Sequence, residues 1–238
     1  MNQEPPESGR EAERFAGMTE GVLFDIDGTL ITTGGAGGEA WRRAFEELYD
    51  RQVDITKVTE SGMTDPEVGR TALRHLLDRE PKQRELATAM AKYMKYLPAS
   101  VEESDGYEVM PGVVDRLRQL VDDGYLVGLV TGNVEAAAHI KLARGALNRF
   151  FSFGGYGSDA SDRAEVTRKA LERGKLVSGG TLDTSACMGI GDTPRDVEGA
   201  HGAKITAVCV ATGNYSVDEL KQAGADYVLN TLEEELPL

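Results

Sequence analysis

The chain has 238 residues, with 40 acidic against 26 basic side chains and a formal net charge of −14. That length can bury a full core in one large or two modest domains, and the negative balance argues against nucleic acid or an acidic membrane as a partner. Cys187 and Cys209 lie in apolar runs and are expected as buried free thiols; no apolar run reaches membrane-spanning length and no signal-peptide core precedes them, so the expected location is cytoplasmic.

Residues 1–18 are polar and proline-bearing and are predicted to form a loose tail. From there strand-like and helix-like segments alternate, the pattern of a mainly parallel sheet covered by helices on both faces. Strands are predicted at Val22–Ile26, Tyr125–Val130, Phe150–Tyr156, Ala186–Ile190, Ile205–Val210 and Tyr227–Leu229. Helices are predicted from Pro111 to about Asp122, Val134 to Gly145, and Asp162 to Arg173, the last capped by Ser161 or Asp162. The stretch 34–106 breaks the alternation. It offers no convincing buried strand, and its helical patterns at Glu39–Tyr49, Pro66–Leu77 and Lys82–Leu97 predict an all-helical insert. The fold class is therefore α/β: a Rossmann-like three-layer core over 19–33 and 107–238, carrying a helical cap over 34–106. Glycines at both borders, Gly34–Gly38 and Ser104–Gly106, suggest hinges or plain loops.

The most informative run is Val22-Leu23-Phe24-Asp25-Ile26-Asp27-Gly28-Thr29-Leu30. Residues i and i+2 of a strand share a face, so Asp25 and Asp27 would project into one site. Adjacent carboxylates repel unless a cation lies between them or one holds a proton, which points to a hard divalent ion or to acid–base work. A strand running into an Asp-Gly turn would explain Gly28 but not the second aspartate. Two further strand ends are polar: Thr131-Gly132-Asn133, and Gly191-Asp192-Thr193-Pro194-Arg195-Asp196. In an open parallel sheet such ends converge where ligands bind, and Asp25, Asp192 and Asp196 would give an oxygen-rich site suited to Mg²⁺.

These three runs, in this order, resemble motifs one, two and four of the haloacid dehalogenase superfamily, specifically its phosphoglycolate-phosphatase-like members with a helical cap. The resemblance implies a Mg²⁺-dependent phosphatase that hydrolyses a small phosphorylated metabolite through an aspartyl-phosphate. Asp25 would be the nucleophile and Asp27 the acid, then the base. Thr131, with the backbone amides of Gly132 and Asn133, would bind the phosphoryl oxygens. Asp25, the Asp27 carbonyl, Asp192 and Asp196 would hold the metal. Aspartate at position 27 is the acid–base form of the motif, which phosphatases and phosphomutases share. A phosphomutase of the β-phosphoglucomutase type is thus the enzymatic alternative, and a silent binding protein on the same fold the non-enzymatic one.

The motif-three lysine of the family has no counterpart here. Ser161-Asp162-Arg163 falls at the corresponding helix start, and Arg163 is expected to supply the missing charge, with Lys169 as rival. In the cap, Glu60 to Pro66 resembles the loop that reaches the core site, making Thr64 a substrate-binding candidate beside its reading as a helix cap. The expected partners are a small phosphorylated substrate and at most a second copy of the chain, as monomer or homodimer, without nucleic acid or membrane.

Overall fold

The computed structural model describes residues 19–238, so the expected tail lies outside the described residues. Strand β1 (Gly21–Phe24) leads to a short β2 (Ile31–Thr33), then to helices α1 (Ala36–Tyr49), α2 (Asp65–Leu77) and α3 (Gln83–Glu103), and back through β3 (Tyr107–Val109). Helices and strands then alternate: α4 (Val113–Asp122), β4 (Leu126–Val130), α5 (Glu135–Arg144), β5 (Gly154–Gly155) and α6 (Arg163–Val177). The chain ends through β6 (Met188–Gly191), α7 (Pro194–Gly202), β7 (Thr206–Val210), α8 (Val217–Gln222) and β8 (Tyr227–Leu229).

Six of these strands form one sheet in the order β5-β4-β1-β6-β7-β8, each pairing parallel. Period-two alternation sorts β1 between two cores: Val22 and Phe24 face α4 and α5 with Leu117, Leu120, Ala138 and Leu142, while Leu23 faces α6 and α7 with Val166, Ala170, Val197 and Ala200. Each valine, leucine or phenylalanine among them contributes about 1.5–3 kcal/mol on full burial. The fold is therefore the α/β, Rossmann-like arrangement. Chain order reverses beside β1, between its neighbours β4 and β6, and that switch point positions the site.

The three helices between β2 and β3 build their own core from Trp41, Phe45, Leu73, Leu86, Tyr93 and Leu97, which continues onto Ala137 of α5. Trp41 stacks on Tyr93 at 4.4 Å and on Phe45 at 5.3 Å between ring centroids. The segment enters and leaves through a pair of strands that the sequence did not announce. β2 and β3 run antiparallel, Ile31 opposite Val109 and Thr33 opposite Tyr107. Beyond them the Ser104 hydroxyl donates to the Thr33 carbonyl at 2.7 Å.

Other boundaries shift for identifiable reasons. The first cap helix starts at Ala36, so Gly37 and Gly38 belong to its first turn and not to a linker. The third runs through Pro98 to Glu103. The expected strand Phe150–Tyr156 shrinks to Gly154–Gly155, because Phe153 turns inward against Gly128 and the α6 backbone crowds Gly155: a Cβ built there would lie 2.0 Å from the Val166 carbonyl. Both cysteines are buried free thiols, their pKa pushed up by burial, to about 11 at Cys187 and about 12 at Cys209.

Candidate active site

Immediately past β1 the chain turns back on itself. The amides of Thr29, Leu30 and Ile31 converge on the Ile26 carbonyl, and Gly28 adopts a φ of 86°. A Cβ on Gly28 would lie 2.4 Å from Asp192 Oδ2, so this position requires glycine for conformation and for space. Thr29 is fully buried and donates its hydroxyl to Asp192 Oδ1 at 3.2 Å, tying the ends of β1 and β6 together.

Carboxylate oxygens of Asp25, Asp192 and Asp196 lie within 4.8 Å of one another. Burial raises the pKa of Asp25 to about 7, and the Asp196 and Asp27 charges add to it while Arg163 opposes it. Burial, then Asp196 and Asp25, raises Asp192 to about 9. Asp25 and Asp192, both buried and driven toward their neutral forms, with Asp196 close behind them, offer hard oxygen donors whose repulsion a divalent cation would relieve.

Arg163 supplies the charge at this centre. It opens α6, its Nη2 lies 2.9 Å from Asp25 Oδ1, and it donates through Nη2 and Nε to Asp196. Burial works against its charge, yet Asp196 and Asp25 outweigh that and raise its pKa. Its Nη1 is buried without a hydrogen-bond partner. Lys169 instead pairs with Glu172 on the surface, and Lys175 is exposed. Asp196 is turned away from the cleft: one oxygen accepts from Arg163, the other from the Thr193 amide at 3.0 Å and hydroxyl at 2.7 Å in a capping box. It braces the arginine from behind, while Asp25 and Asp192 reach the cleft wall.

Asp27 goes elsewhere. The strand ends at Phe24, so the i, i+2 pair sits in the turn and not on one pleat, and the two carboxylates find different cations. Lys141 Nζ lies 2.7 and 2.9 Å from the Asp27 oxygens, and Asn133 Nδ2 donates to one of them at 2.8 Å. The Asp27 side chain keeps 41% of its surface against 9% for Asp25, so it faces the cleft from a wetter position. Lys141 is buried on α5; burial disfavours its charge, but Asp27, Asp65 and Asp25 more than compensate and raise its pKa.

Sequence reasoning missed Lys141. The available signal was its place beside Ala137, Ala138 and Leu142 on the apolar face of α5, where a lysine needs a buried acid opposite it. Thr131 is fully buried, its hydroxyl accepting from Asn133 Nδ2 at 2.8 Å, and both residues line the cleft with Gly132. The Gly132 carbonyl accepts the Asp65 amide at 2.8 Å, and Asp65 Oδ2 accepts the Val134 amide at 2.8 Å, so α2 is fastened directly to the motif-two loop. Thr64, the expected substrate contact, does not line the cleft: its hydroxyl forms the α2 capping box with Glu67, and the neighbouring Met63 and Asp65 form the wall.

The cleft between helical segment and sheet measures about 540 Å³, and it gathers Asp25, Asp27, Thr131, Lys141, Arg163 and Asp192. Fold and site together define a cap-bearing α/β hydrolase with a carboxylate centre. The family model described as haloacid dehalogenase-like hydrolase matches residues 19–204. The chain belongs to that family. It is 26% identical to the "Probable phosphatase IndB" of Dickeya dadantii over 90% of this chain and 90% of that one. It is 25% identical to the phosphoglycolate phosphatase of Synechococcus elongatus over 89% and 93%. Among solved structures it is similar to CbbY from Rhodobacter sphaeroides in complex with phosphate, with a TM-score of 0.71 and 18% identity over 91% and 96%. The curated relatives it resembles are named as phosphatases, and the class of the chain is phosphoric monoester hydrolase. Among the described residues no helix is long and apolar enough to cross a membrane.

Proposed function

We propose that this chain is a Mg²⁺-dependent phosphatase that hydrolyses a small phosphorylated metabolite through an aspartyl-phosphate. The observation that carries the reading is the division of labour between two carboxylates of one turn: Asp25 buried against Arg163, Asp27 facing the cleft and held by Lys141 and Asn133. Asp25 attacks phosphorus, and the bond from phosphorus to the leaving oxygen breaks as Asp27 delivers its proton to that oxygen. Asp27, now ionised, takes a proton from water as the water attacks phosphorus and releases Asp25. Arg163, with its unpartnered Nη1, and the Thr131 hydroxyl stabilise charge on the phosphoryl oxygens.

Asp25, Asp192 and the Asp27 carbonyl would hold Mg²⁺, with Asp196 behind them bracing Arg163. When bound, the ion neutralises the carboxylates and the phosphate and keeps Asp25 ionised. The cap supports hydrolysis in a sheltered cleft, and the chain's action on a small metabolite as a cytoplasmic monomer or homodimer is part of the same reading. The test is phosphate release from a panel of monophosphates with Mg²⁺ and with a chelator. Asp25→Asn is expected to abolish release; wild-type release from that variant would overturn the mechanism. Transfer of phosphate within a sugar, without release, would mark the mutase alternative instead.

A further inference from the structure

The cleft has a sharply uneven charge distribution. Its walls carry the carboxylates of Asp25, Asp27, Glu60, Asp65 and Asp192, and only Lys141 and Arg163 as cations among the described residues. Both cations are engaged at the phosphoryl end, Lys141 by Asp27 and Arg163 by Asp25 and Asp196. Arg195, packed beside Gly62 at the rim, is drawn toward Glu67 at 3.6 Å and Glu60 at 3.8 Å and does not line the cleft. Away from the reacting end the wall is apolar at Trp41, Ile55, Val68 and Tyr93, and carries the Thr56 and Thr59 hydroxyls, which donate to Asp54 and to the Ile55 carbonyl and so present acceptor oxygens.

The first turn of α1 lines the cleft with glycines and leaves room there. A Cβ built on Gly35 would meet nothing within 4 Å, and one on Gly37 only Lys141 Nζ at 3.9 Å. The backbone amides there offer about half a positive charge, too little to offset a full anion in this surrounding. A cleft of about 540 Å³ falls in the range that encloses a ring-sized ligand, well beyond a two-carbon acid.

Resting on the phosphatase reading, we infer the substrate class: the monophosphate of an uncharged polyhydroxylated compound, a sugar or nucleoside. The chain discriminates against phosphorylated carboxylic acids and diphosphates. Balancing the cleft shows why. With Asp27 protonated as the acid, four carboxylates against two cations leave two negative charges, a divalent ion cancels them, and the phosphate dianion brings two more. A second anionic group on the substrate then finds no free cation and sits among like charges, whereas a hydroxylated ring finds threonine hydroxyls and an apolar face.

The experiment compares kcat/KM at saturating Mg²⁺ for p-nitrophenyl phosphate, hexose and pentose phosphates, nucleoside 5′-monophosphates, 2-phosphoglycolate and pyrophosphate. The best uncharged alcohol is expected to exceed both 2-phosphoglycolate and pyrophosphate by about tenfold or more, a modest discrimination for one unmatched charge. A smaller margin, or the reverse order, overturns the inference while leaving the phosphatase reading intact. Release from none of the esters overturns both. A second arm uses Glu60, whose side chain is 77% exposed, so its replacement puts no load on folding. Glu60→Lys is expected to raise the ratio of 2-phosphoglycolate to sugar-phosphate kcat/KM by about fivefold or more, and Glu60→Gln by less, as a charge near solvent would. An unchanged ratio in Glu60→Lys overturns the electrostatic basis.

Discussion

Replacing Arg163 by methionine tests the centre most directly. The guanidinium lies 2.9 Å from Asp25 and also holds Asp196, and all three side chains are less than a tenth exposed. Methionine keeps much of the volume but leaves Asp25, Asp192 and Asp196, whose oxygens lie within 4.8 Å of one another, without a covalently supplied cation. Removing one partner from a buried ion pair costs about 3–5 kcal/mol. For a chain of this size that corresponds to a fall in Tm of roughly 10 °C in chelator, using about 2–4 °C per kcal/mol. Mg²⁺ supplies a substitute charge and is expected to recover much of the loss. Catalysis should suffer separately. A preorganised donor at the phosphoryl oxygens is worth about 10²–10³ in kcat, and Mg²⁺ cannot restore its directed N–H groups. Arg163 also opposes the rise in the Asp25 pKa, so its loss raises that pKa further and moves the acidic limb of the rate profile to higher pH. The assays are differential scanning fluorimetry with and without Mg²⁺, and phosphate release across pH well below the lowered Tm. Arg163→Lys, which keeps the charge but not the fork, should fall between wild type and Arg163→Met. A kcat within about threefold of wild type in Arg163→Met, measured on folded protein, would refute the role assigned to this residue.

Other expectations concern the rest of the cleft. The raised pKa values of Asp25, Asp65 and Asp192, to about 7, 6 and 9, mean that the folded metal-free chain binds more protons than the unfolded one. The stability these three groups contribute is fullest below the ordinary carboxylate range and is lost as pH rises toward 9, so Tm in chelator should fall between pH 5 and 9 while the gain on adding Mg²⁺ grows. A Tm that rises across that interval would contradict the buried acid cluster. Lys141→Met should slow turnover of substrates with poor leaving groups, and a double-mutant cycle should find little further loss in the Asp27→Asn background, since the lysine acts through that carboxylate. Additive losses would separate the two residues. Thr64→Ala should lower stability by about 1 kcal/mol as a lost N-cap and leave kcat/KM nearly unchanged; a large kcat/KM defect at wild-type stability would return it to the substrate.

What the sequence disclosed tracks what folding alone does not require. Asp25, Asp27, Asp192 and Asp196 stood out because acids crowded at strand ends oppose folding unless chemistry uses them. Arg163 followed from the same charge imbalance, and the structure sets it 2.9 Å from Asp25. Lys141 stayed hidden because one lysine in a helix reads as a solvated face until the opposite wall is known. The shared face expected for Asp25 and Asp27 failed because β1 ends at Phe24, before either aspartate, so no pleat governs them. β2 and β3 were invisible because three residues are too few to display alternation, and their pairing spans the whole helical segment. Pro98 masked the last third of α3, since a proline stops a pattern on paper even where the helix continues past it.

The clasp formed by β2 and β3 has an evolutionary consequence. It brings the outgoing and returning strands together before either reaches the cap, so a Cβ on Gly34 would lie 2.5 Å from the Gly106 backbone. A segment whose two ends leave the core as neighbours behaves as a cassette. It can be exchanged for another whose termini lie equally close, without lengthening a loop or disturbing the register of the six-stranded sheet. On the proposed reading, the acids that act on the phosphate are fixed below the clasp and the surfaces that would choose the alcohol lie above it, so selectivity in such a chain could be rewritten while the chemistry is kept.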